Sequence, residues 1–288
     1  MSIASVLIPS DKPHGPATGS SSGPRYSLLL TTDDALIEAA QQLRYDVFSS
    51  TPGFAVPSAI DHRDVDRFDE YCDHLLVRDD DTGELVGCYR MLPPAGAIAA
   101  GGLYTATEFD VRAFDPLRPS LVEMGRAAVR DGHRNGAVVL LMWAGILAYL
   151  DRCDYDSVTG CVSVPIDGNG PERSEGHAPG SQIRGVRDFV RVRHAARYRV
   201  YPYRPVRIGG KGLDDIAPPR RPTVPPLMRG YLRLGARVCG EPAHDPAFGV
   251  GDFCVLLDKR HADTRYLKRL RSVAVASEMA GGMAGGAR

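Results

Sequence analysis

Glu123 and Arg126 stand three positions apart in the otherwise apolar stretch Leu121–Val129. A half-buried carboxylate has a raised pKa and can take a proton from an attacking amine. A guanidinium can bind a carboxylate through two hydrogen bonds. Positions three apart in a straight strand face opposite sides, so a simple ion pair between the two is not expected unless a β-bulge intervenes. The pair therefore indicates a catalytic site with Glu123 as general base, and a structural ion pair is the alternative.

Other charged residues of the kind that bind an amino acid precede this stretch. Arg44 and Arg90 are candidates, with the arginine above, to bind the carboxylate of an acceptor. Asp66 and Asp69 belong to the acidic segment "DVDRFD" at 64–69. These aspartates have three interpretations. They bind an ammonium group, they orient the arginines, or they belong to a solvated acidic loop.

The hydrophobic periodicity predicts the elements that must hold these residues. Short alternating runs predict strands at Tyr26–Leu30, His74–Val77, Leu85–Met91, Leu121–Val129, Ser157–Val164 and Phe253–Leu257. Helical spacing predicts helices from a cap at Thr31 or Thr32 to Phe48, from near Asn135 onward, and at Leu227–Leu234 before Gly235. The order β-α-β-β-β-α-β predicts one α/β domain with a mixed, largely antiparallel central sheet flanked by helices.

Composition predicts where this domain begins and ends. Residues 1–23 are rich in Ser, Gly and Pro, and residues 272–288 end in a Gly/Ala-rich run. Both are expected to be disordered tails around a single domain at 24–271, in which about 181–271 forms a C-terminal extension. The segment Asp167–Gly180 is expected to be an irregular loop.

Charge and cysteine content exclude several classes of protein. The chain has 35 basic and 35 acidic residues, and it lacks any helix-turn-helix, zinc-finger or RNA-binding signature, so a nucleic-acid partner is not expected. Its six cysteines have no metal spacing, which predicts reduced core thiols and no metal site. The longest apolar run, Val138–Leu150, is too short to span a bilayer, and no signal peptide is visible. We expect a cytoplasmic protein, with contact to the inner face of the plasma membrane left open.

One stretch is strongly basic: Ile183–Ile208 contains eight arginines and one acidic residue, Asp188. It has three interpretations. It docks the acidic face of a carrier protein, it lies on an anionic membrane surface, or it is a solvated edge.

Several motifs in order resemble the ornithine N-acyltransferases of ornithine-lipid synthesis. They are "LRYDVF" (43–48), "DVDRFDEYCDHLLV" (64–77), "GELVGCYRML" (83–92), "TATEFDV" (105–111), "LVEMGR" (121–126) and "MRGYLRLGARVCGEPAHDPAFGVGDFCVLL" (228–257). The resemblance implies a Gcn5-related N-acyltransferase fold. It also implies transfer of a fatty acyl group, often 3-hydroxylated, from acyl carrier protein to the α-amine of ornithine, which gives lyso-ornithine lipid. The donor is the phosphopantetheine thioester of the carrier protein, and no bound cofactor is expected.

The same fold implies a phosphate-binding turn before the second long helix. Arg134, Asn135 and Gly136 in "HRNGAV" are the candidates, because N–H groups at a helix N-terminus bind phosphate. The spacing departs from the coenzyme A pattern of related enzymes, which suggests a donor with a single phosphate. Phe48 and Phe109 are candidates to line the acyl or pantetheine channel, although aromatic residues in such segments are more often core.

Two alternatives to this function stay open. The skeleton of arginines, aspartates and Glu-x-x-Arg also resembles the acyl-homoserine-lactone synthases, but Ser49, Ser50 and Thr51 follow Phe48 where those enzymes have a tryptophan. The other alternative is a carrier-binding or membrane-adaptor protein without catalytic activity.

Overall fold

The computed structural model describes residues 4–9, 25–51, 56, 59–134, 136–166 and 178–272. Its strands are β1 (Ala4–Ile8), β2 (Tyr26–Thr31), β3 (Ala59–Ile60), β4 (Arg63–Asp64), β5 (Asp73–Asp79), β6 (Leu85–Leu92), β7 (Phe109–Asp110), β8 (Leu121–Val129), β9 (Ser157–Pro165), β10 (Tyr201–Pro202), β11 (Arg207–Ile208), β12 (Lys211–Gly212), β13 (Arg237–Val238), β14 (Ala243–Asp245) and β15 (Val250–Asp258). Its α-helices are α1 (Asp34–Ser49), α2 (Pro94–Ala99), α3 (Gly136–Arg152), α4 (Ser181–Arg193) and α5 (Pro226–Leu234), and a last helix spans residues 264–272.

One large mixed sheet organises the chain. Its strands lie in the order β1-β2-β5-β6-β8-β9-β15-β13, and β14 also pairs with β15. Every pairing in it is antiparallel except that of β8 with β9. The predicted mixed, largely antiparallel sheet is therefore confirmed.

The two long helices pack on opposite faces of this sheet. In β5, Leu75 and Val77 belong to the core beneath α3, whereas Leu76 belongs to the core beneath α1. This alternation is the period of two that a strand imposes. Trp143 of α3, expected in the core, stacks on Tyr231 of α5 with ring centroids 5.1 Å apart. No helix of the described residues is long and apolar enough to cross a membrane.

The structure corrects three expectations from the sequence. Asp33, not a threonine, caps α1, and its carboxylate accepts a hydrogen bond from the N–H of Leu36. Part of the expected N-terminal tail is strand β1, because the apolar side chains at its end are buried in the α3 core. Cys153 is exposed although core thiols were expected. The basic stretch, for which the sequence predicted no element, begins within α4. The rest of the tails, and residues 167–177 of the expected irregular loop, lie outside the described residues.

Strands β8 and β9 pair for only a short distance and then separate. Their parallel register covers Leu121–Glu123 of β8, opposite Ser157–Thr159 of β9. On its other side β8 stays paired with β6, where Arg126 and Ala127 lie opposite Tyr89 in a β-bulge. Arg126 has a φ of 54°, a left-handed conformation that is uncommon for a residue other than glycine. The bulge bends β8 at the point where it leaves β9.

The close approach before this separation requires a glycine in β9. A Cβ atom on Gly160 would lie 2.3 Å from the carbonyl oxygen of Met124, which belongs to the backbone and cannot move aside. We expect Gly160→Ala to lower the free energy of unfolding by about 1–3 kcal/mol. Chemical denaturation measures this change. Gly125→Ala in β8 is the control, since a Cβ there meets nothing within 4 Å. Equal stability of the two variants would contradict the close packing of β8 on β9.

Candidate active site

Three arginines and three aspartates alternate in a closed ring between α1, β6, β8 and the segment around β4. We call this group the charge ring. Its members, in order around the ring, are Arg44, Asp69, Arg90, Asp66, Arg126 and Asp64.

The contacts within the ring are short. Arg44 Nε lies 2.9 Å from Asp64 Oδ2, and Arg44 Nη2 lies 2.8 Å from Asp69 Oδ2. Arg90 Nη1 lies 3.0 Å from Asp69 Oδ1 and 2.5 Å from Asp66 Oδ1. Burial alone would raise the pKa of Asp66, but Arg90 and the arginine of β8 together hold it below its ordinary value. Asp66 therefore stays ionised at neutral pH.

Arg126 closes the ring through its bulged backbone. Its Nη2 lies 2.9 Å from Asp66 Oδ2, and its Nε lies 3.1 Å from Asp64 Oδ2. Its guanidinium also stacks 5.2 Å from the ring centroid of Tyr104. The arginines predicted to bind an acceptor carboxylate thus have aspartate partners already. Of the interpretations weighed for Asp66, orientation of the arginines is the one this geometry supports.

Glu123 is held by the short 3₁₀ turn at Tyr104–Thr107. Its carboxylate accepts hydrogen bonds from the backbone N–H groups of Tyr104 and Thr105 and from the hydroxyl of Thr105. Burial raises the pKa of Glu123, and the hydrogen bonds from Thr105 and Tyr104 offset part of that rise. The bulge brings Glu123 and Arg126 to one cavity, but each is bound to other partners rather than to the other. Glu123 anchors the turn, and its role as general base stays a prediction.

A cavity of about 290 Å³ opens where β8 leaves β9. We call it the β8–β9 cavity. Its walls combine the bulged part of β8, the facing part of β9, the start of α5 and the turn between β14 and β15. The lining residues are Phe48, Arg90, Leu92, Tyr104, Glu108, Glu123, Met124, Gly125, Arg126, Ala127, Cys161, Val162, Ser163, Pro225, Leu227, Asp245, Phe248 and Asp252.

Three carboxylates on one wall of this cavity were not singled out from the sequence. Oxygen atoms of Glu108, Asp245 and Asp252 lie within 4.8 Å of one another. We call them the acidic trio. Burial, followed by repulsion from the neighbouring carboxylates, raises the pKa of Glu108 to about 8, and burial raises that of Asp252 to about 6. Their spacing would allow them to share a cation. The one signal in the sequence was Asp252, a charged residue inside the mainly apolar sequence of β15.

The structure places the remaining predicted residues differently. Phe48 lines the β8–β9 cavity. Phe109 does not line it, because it is fully buried in a separate core with Phe114, and this corrects the expectation that it lines the channel. Arg134 is exposed in the turn before α3, where its Nε donates to the carbonyl of Val129.

The predicted phosphate turn is described only in part. Gly136 is the first residue of α3, as the pattern requires, and it is exposed. Asn135 lies outside the described residues. Neither Arg134 nor Gly136 lines the β8–β9 cavity, so a phosphate at this turn would lie beyond its rim.

The basic stretch divides into buried and exposed arginines. Arg184 and Arg187 of α4 form ion pairs with Asp188 and Asp214. The other six are exposed, namely Arg191, Arg193, Arg197, Arg199, Arg204 and Arg207. The first two arginines thus stabilise the fold, and the other six are accessible to a partner.

Comparison with known proteins finds a matching domain family and similar chains. A profile of the acetyltransferase (GNAT) domain matches residues 43–144. The chain is 33% identical over 252 residues to an L-ornithine N(alpha)-acyltransferase of Brucella abortus (strain 2308), which covers 83% of this chain and 86% of that protein. It is 33% identical over 254 residues to the protein of the same name from Rhizobium meliloti (strain 1021), covering 83% and 81%. Among solved structures, the AHL synthase LasI aligns with a TM-score of 0.47 and 16% identity over 82% of this chain and 91% of its own.

The charge ring predicts a large loss of stability when one member is removed. We expect Arg44→Met to lower the free energy of unfolding by about 3–5 kcal/mol, because Asp64 and Asp69 lose a buried counter-ion. Urea unfolding measures this change. The control is Arg118→Met, which breaks the exposed pair of Arg118 with Asp115 and should leave stability unchanged. Similar stability of both variants and the wild type would contradict a structural role for the ring.

Proposed function

Because the chain belongs to the family of L-ornithine N(alpha)-acyltransferases, we propose that it moves a fatty acyl group, including 3-hydroxylated chains, from acyl carrier protein to the α-amine of ornithine. The product is lyso-ornithine lipid. The acyltransferase prediction is confirmed by this family and by the acetyltransferase domain match. The alternative of a non-catalytic adaptor has no comparable support.

The observation that carries this proposal is the β8–β9 cavity itself. Among the described residues, β8 pairs with no strand on the β9 side from Met124 onward, so the backbone N–H and C=O groups that point to that side border the cavity. The phosphopantetheine arm of the carrier contains amides that can pair with such an edge as an added strand would. A backbone N–H in this segment could also donate to the thioester oxygen and stabilise the negative charge that develops there.

The reaction needs a proton acceptor beside that edge. The neutral α-amine attacks the thioester carbonyl carbon, the C–N bond forms, the C–S bond breaks, and the carrier leaves as its thiolate, which finally takes up the proton that the amine loses. The amine proton passes to Glu123, directly or through water. Oε2 of Glu123 accepts the Tyr104 N–H, while Oε1 accepts both groups of Thr105, so Oε2 keeps a lone pair for this role. Arg126 and its ring partners position the strand that carries Glu123.

Six exposed arginines support acyl carrier protein as the donor. Carrier proteins present acidic surfaces, and residues 191–207 offer a complementary positive charge. Val192, Tyr201 and Tyr203 are also exposed in this stretch. An anionic membrane surface is therefore the second candidate partner for the same stretch, and co-sedimentation with anionic vesicles tests it.

The general-base role predicts a specific kinetic effect. Glu123→Gln should lower kcat about 10²–10⁴-fold with little change in the KM for the acyl carrier, because Gln keeps the size and one acceptor oxygen of Glu but cannot take up the proton. Steady-state kinetics on protein whose folding is verified by circular dichroism measure this. A variant that is less stable but turns over normally between pH 6 and 9 would leave Glu123 only its role at the 3₁₀ turn.

The donor assignment predicts a preference that salt weakens. We expect a higher kcat/KM for an acyl carrier protein thioester than for the matching coenzyme A thioester, and a steeper decline of the carrier reaction above about 0.1 M salt. The variant Arg191→Ser/Arg193→Ser should slow only the carrier reaction. Arg112→Ser, an exposed arginine outside the stretch, is the control. Equal use of both donors would contradict the assignment.

A further inference from the structure

The two walls of the β8–β9 cavity differ in their charge balance. On one wall the charge ring matches three arginines with three aspartates. On the other wall, the acidic trio brings three carboxylates together, and none of them forms an ion pair with Arg or Lys among the described residues. The trio therefore faces the cavity without counter-ions, and burial together with the neighbouring carboxylates raises the pKa of Glu108 to about 8, so that without a ligand Glu108 holds a proton at neutral pH.

Not every carboxylate oxygen of the acidic trio accepts a hydrogen bond. Asp252 is buried and accepts a hydrogen bond of 2.6 Å from the hydroxyl of Ser163. Asp245 accepts the backbone N–H groups of Ala247 and Phe248. Oε2 of Glu108 is shielded from solvent and has no hydrogen-bond partner among the described residues, while the protonated Glu108 side chain shares a hydrogen bond with Asp252. A ligand that supplies N–H groups and positive charge would replace that proton and allow all three carboxylates to ionise.

We propose that the acidic trio is the subsite for the side-chain ammonium of a diamino-acid acceptor. This inference rests on the proposed function, since it assigns the second amine of the same substrate. A primary ammonium has three N–H donors, which suits a site built from three carboxylates. Hard divalent cations generally take six or more oxygen ligands, and the trio provides three side chains.

The subsite also explains which amine reacts. An ammonium surrounded by carboxylates keeps its proton, because nearby negative charge favours the charged form. A protonated nitrogen has no lone pair and cannot attack the thioester. The α-amine, held outside the trio and near Glu123, is the one that can lose its proton. The trio thus selects diamino acids and directs acylation to the α-nitrogen.

The test compares ornithine with norvaline, which has the same carbon chain without the side-chain ammonium. Wild-type enzyme with acyl carrier protein thioester should show a kcat/KM about 10- to 100-fold higher for ornithine. In Glu108→Gln/Asp252→Asn this ratio should fall toward one, mainly through the KM for ornithine, and acylation of the side-chain nitrogen should appear by mass spectrometry. The control is Asp110→Asn, which removes a nearby carboxylate paired with exposed Arg112 and absent from the cavity wall; its ratio should match the wild type.

Binding to the wild type provides a readout that does not depend on variant folding. Ornithine should raise the thermal midpoint more than norvaline at equal concentration. Equal shifts, or an unchanged kcat/KM ratio in the double variant, would overturn the subsite. Stoichiometric binding of Ca²⁺ or Mg²⁺ that is lost in the double variant would overturn it in favour of a metal site. Failure of the wild type to acylate either amino acid would instead refute the proposed function.

Discussion

The geometry of the cavity depends on the charge ring. Its members come from α1, the segment around β4, β6 and β8, and they join these elements through buried ion pairs in addition to the apolar core beneath α1. Replacing one member would leave an opposite charge buried without a partner, so the ring acts as a unit. Through Arg126 it fixes the left-handed residue of the bulge, and the bulge bends β8 away from β9. The ion pairs of Arg126 thus hold the bulge beside the opening between the strands.

The two walls of the cavity have different roles because their charges are balanced differently. Each guanidinium of the charge ring is paired with carboxylates of the ring, and the ring positions strand β8. The acidic trio has no cationic partner among the described residues, and a cationic substrate would supply one. Glu123 lies between the two and links β8 to the 3₁₀ turn that precedes Glu108. A change at this carboxylate would consequently affect both the frame and the chemistry.

The sequence predicted the main elements well because they depend on local periodicity. The limits of β8 agree with its prediction, and α3 begins one residue after the predicted position. The ring and the trio could not be predicted in the same way, because each joins residues far apart in the chain through the register of the sheet. The left-handed conformation of Arg126 could not be predicted, because this position does not hold a glycine, the residue that usually adopts that conformation. Arginines that looked available for a substrate therefore proved to be bound to aspartates, and Phe109 proved to be core.

The central claim is that this chain acylates ornithine. Mass spectrometry of lipids from a host that makes no ornithine lipid, expressing this protein with and without added ornithine, tests it most directly. We expect a fatty N-acyl ornithine that rises with added ornithine and carries the acyl group on the α-nitrogen. Absence of any N-acylated ornithine in cells that contain the folded protein and their own acyl carrier protein would contradict it.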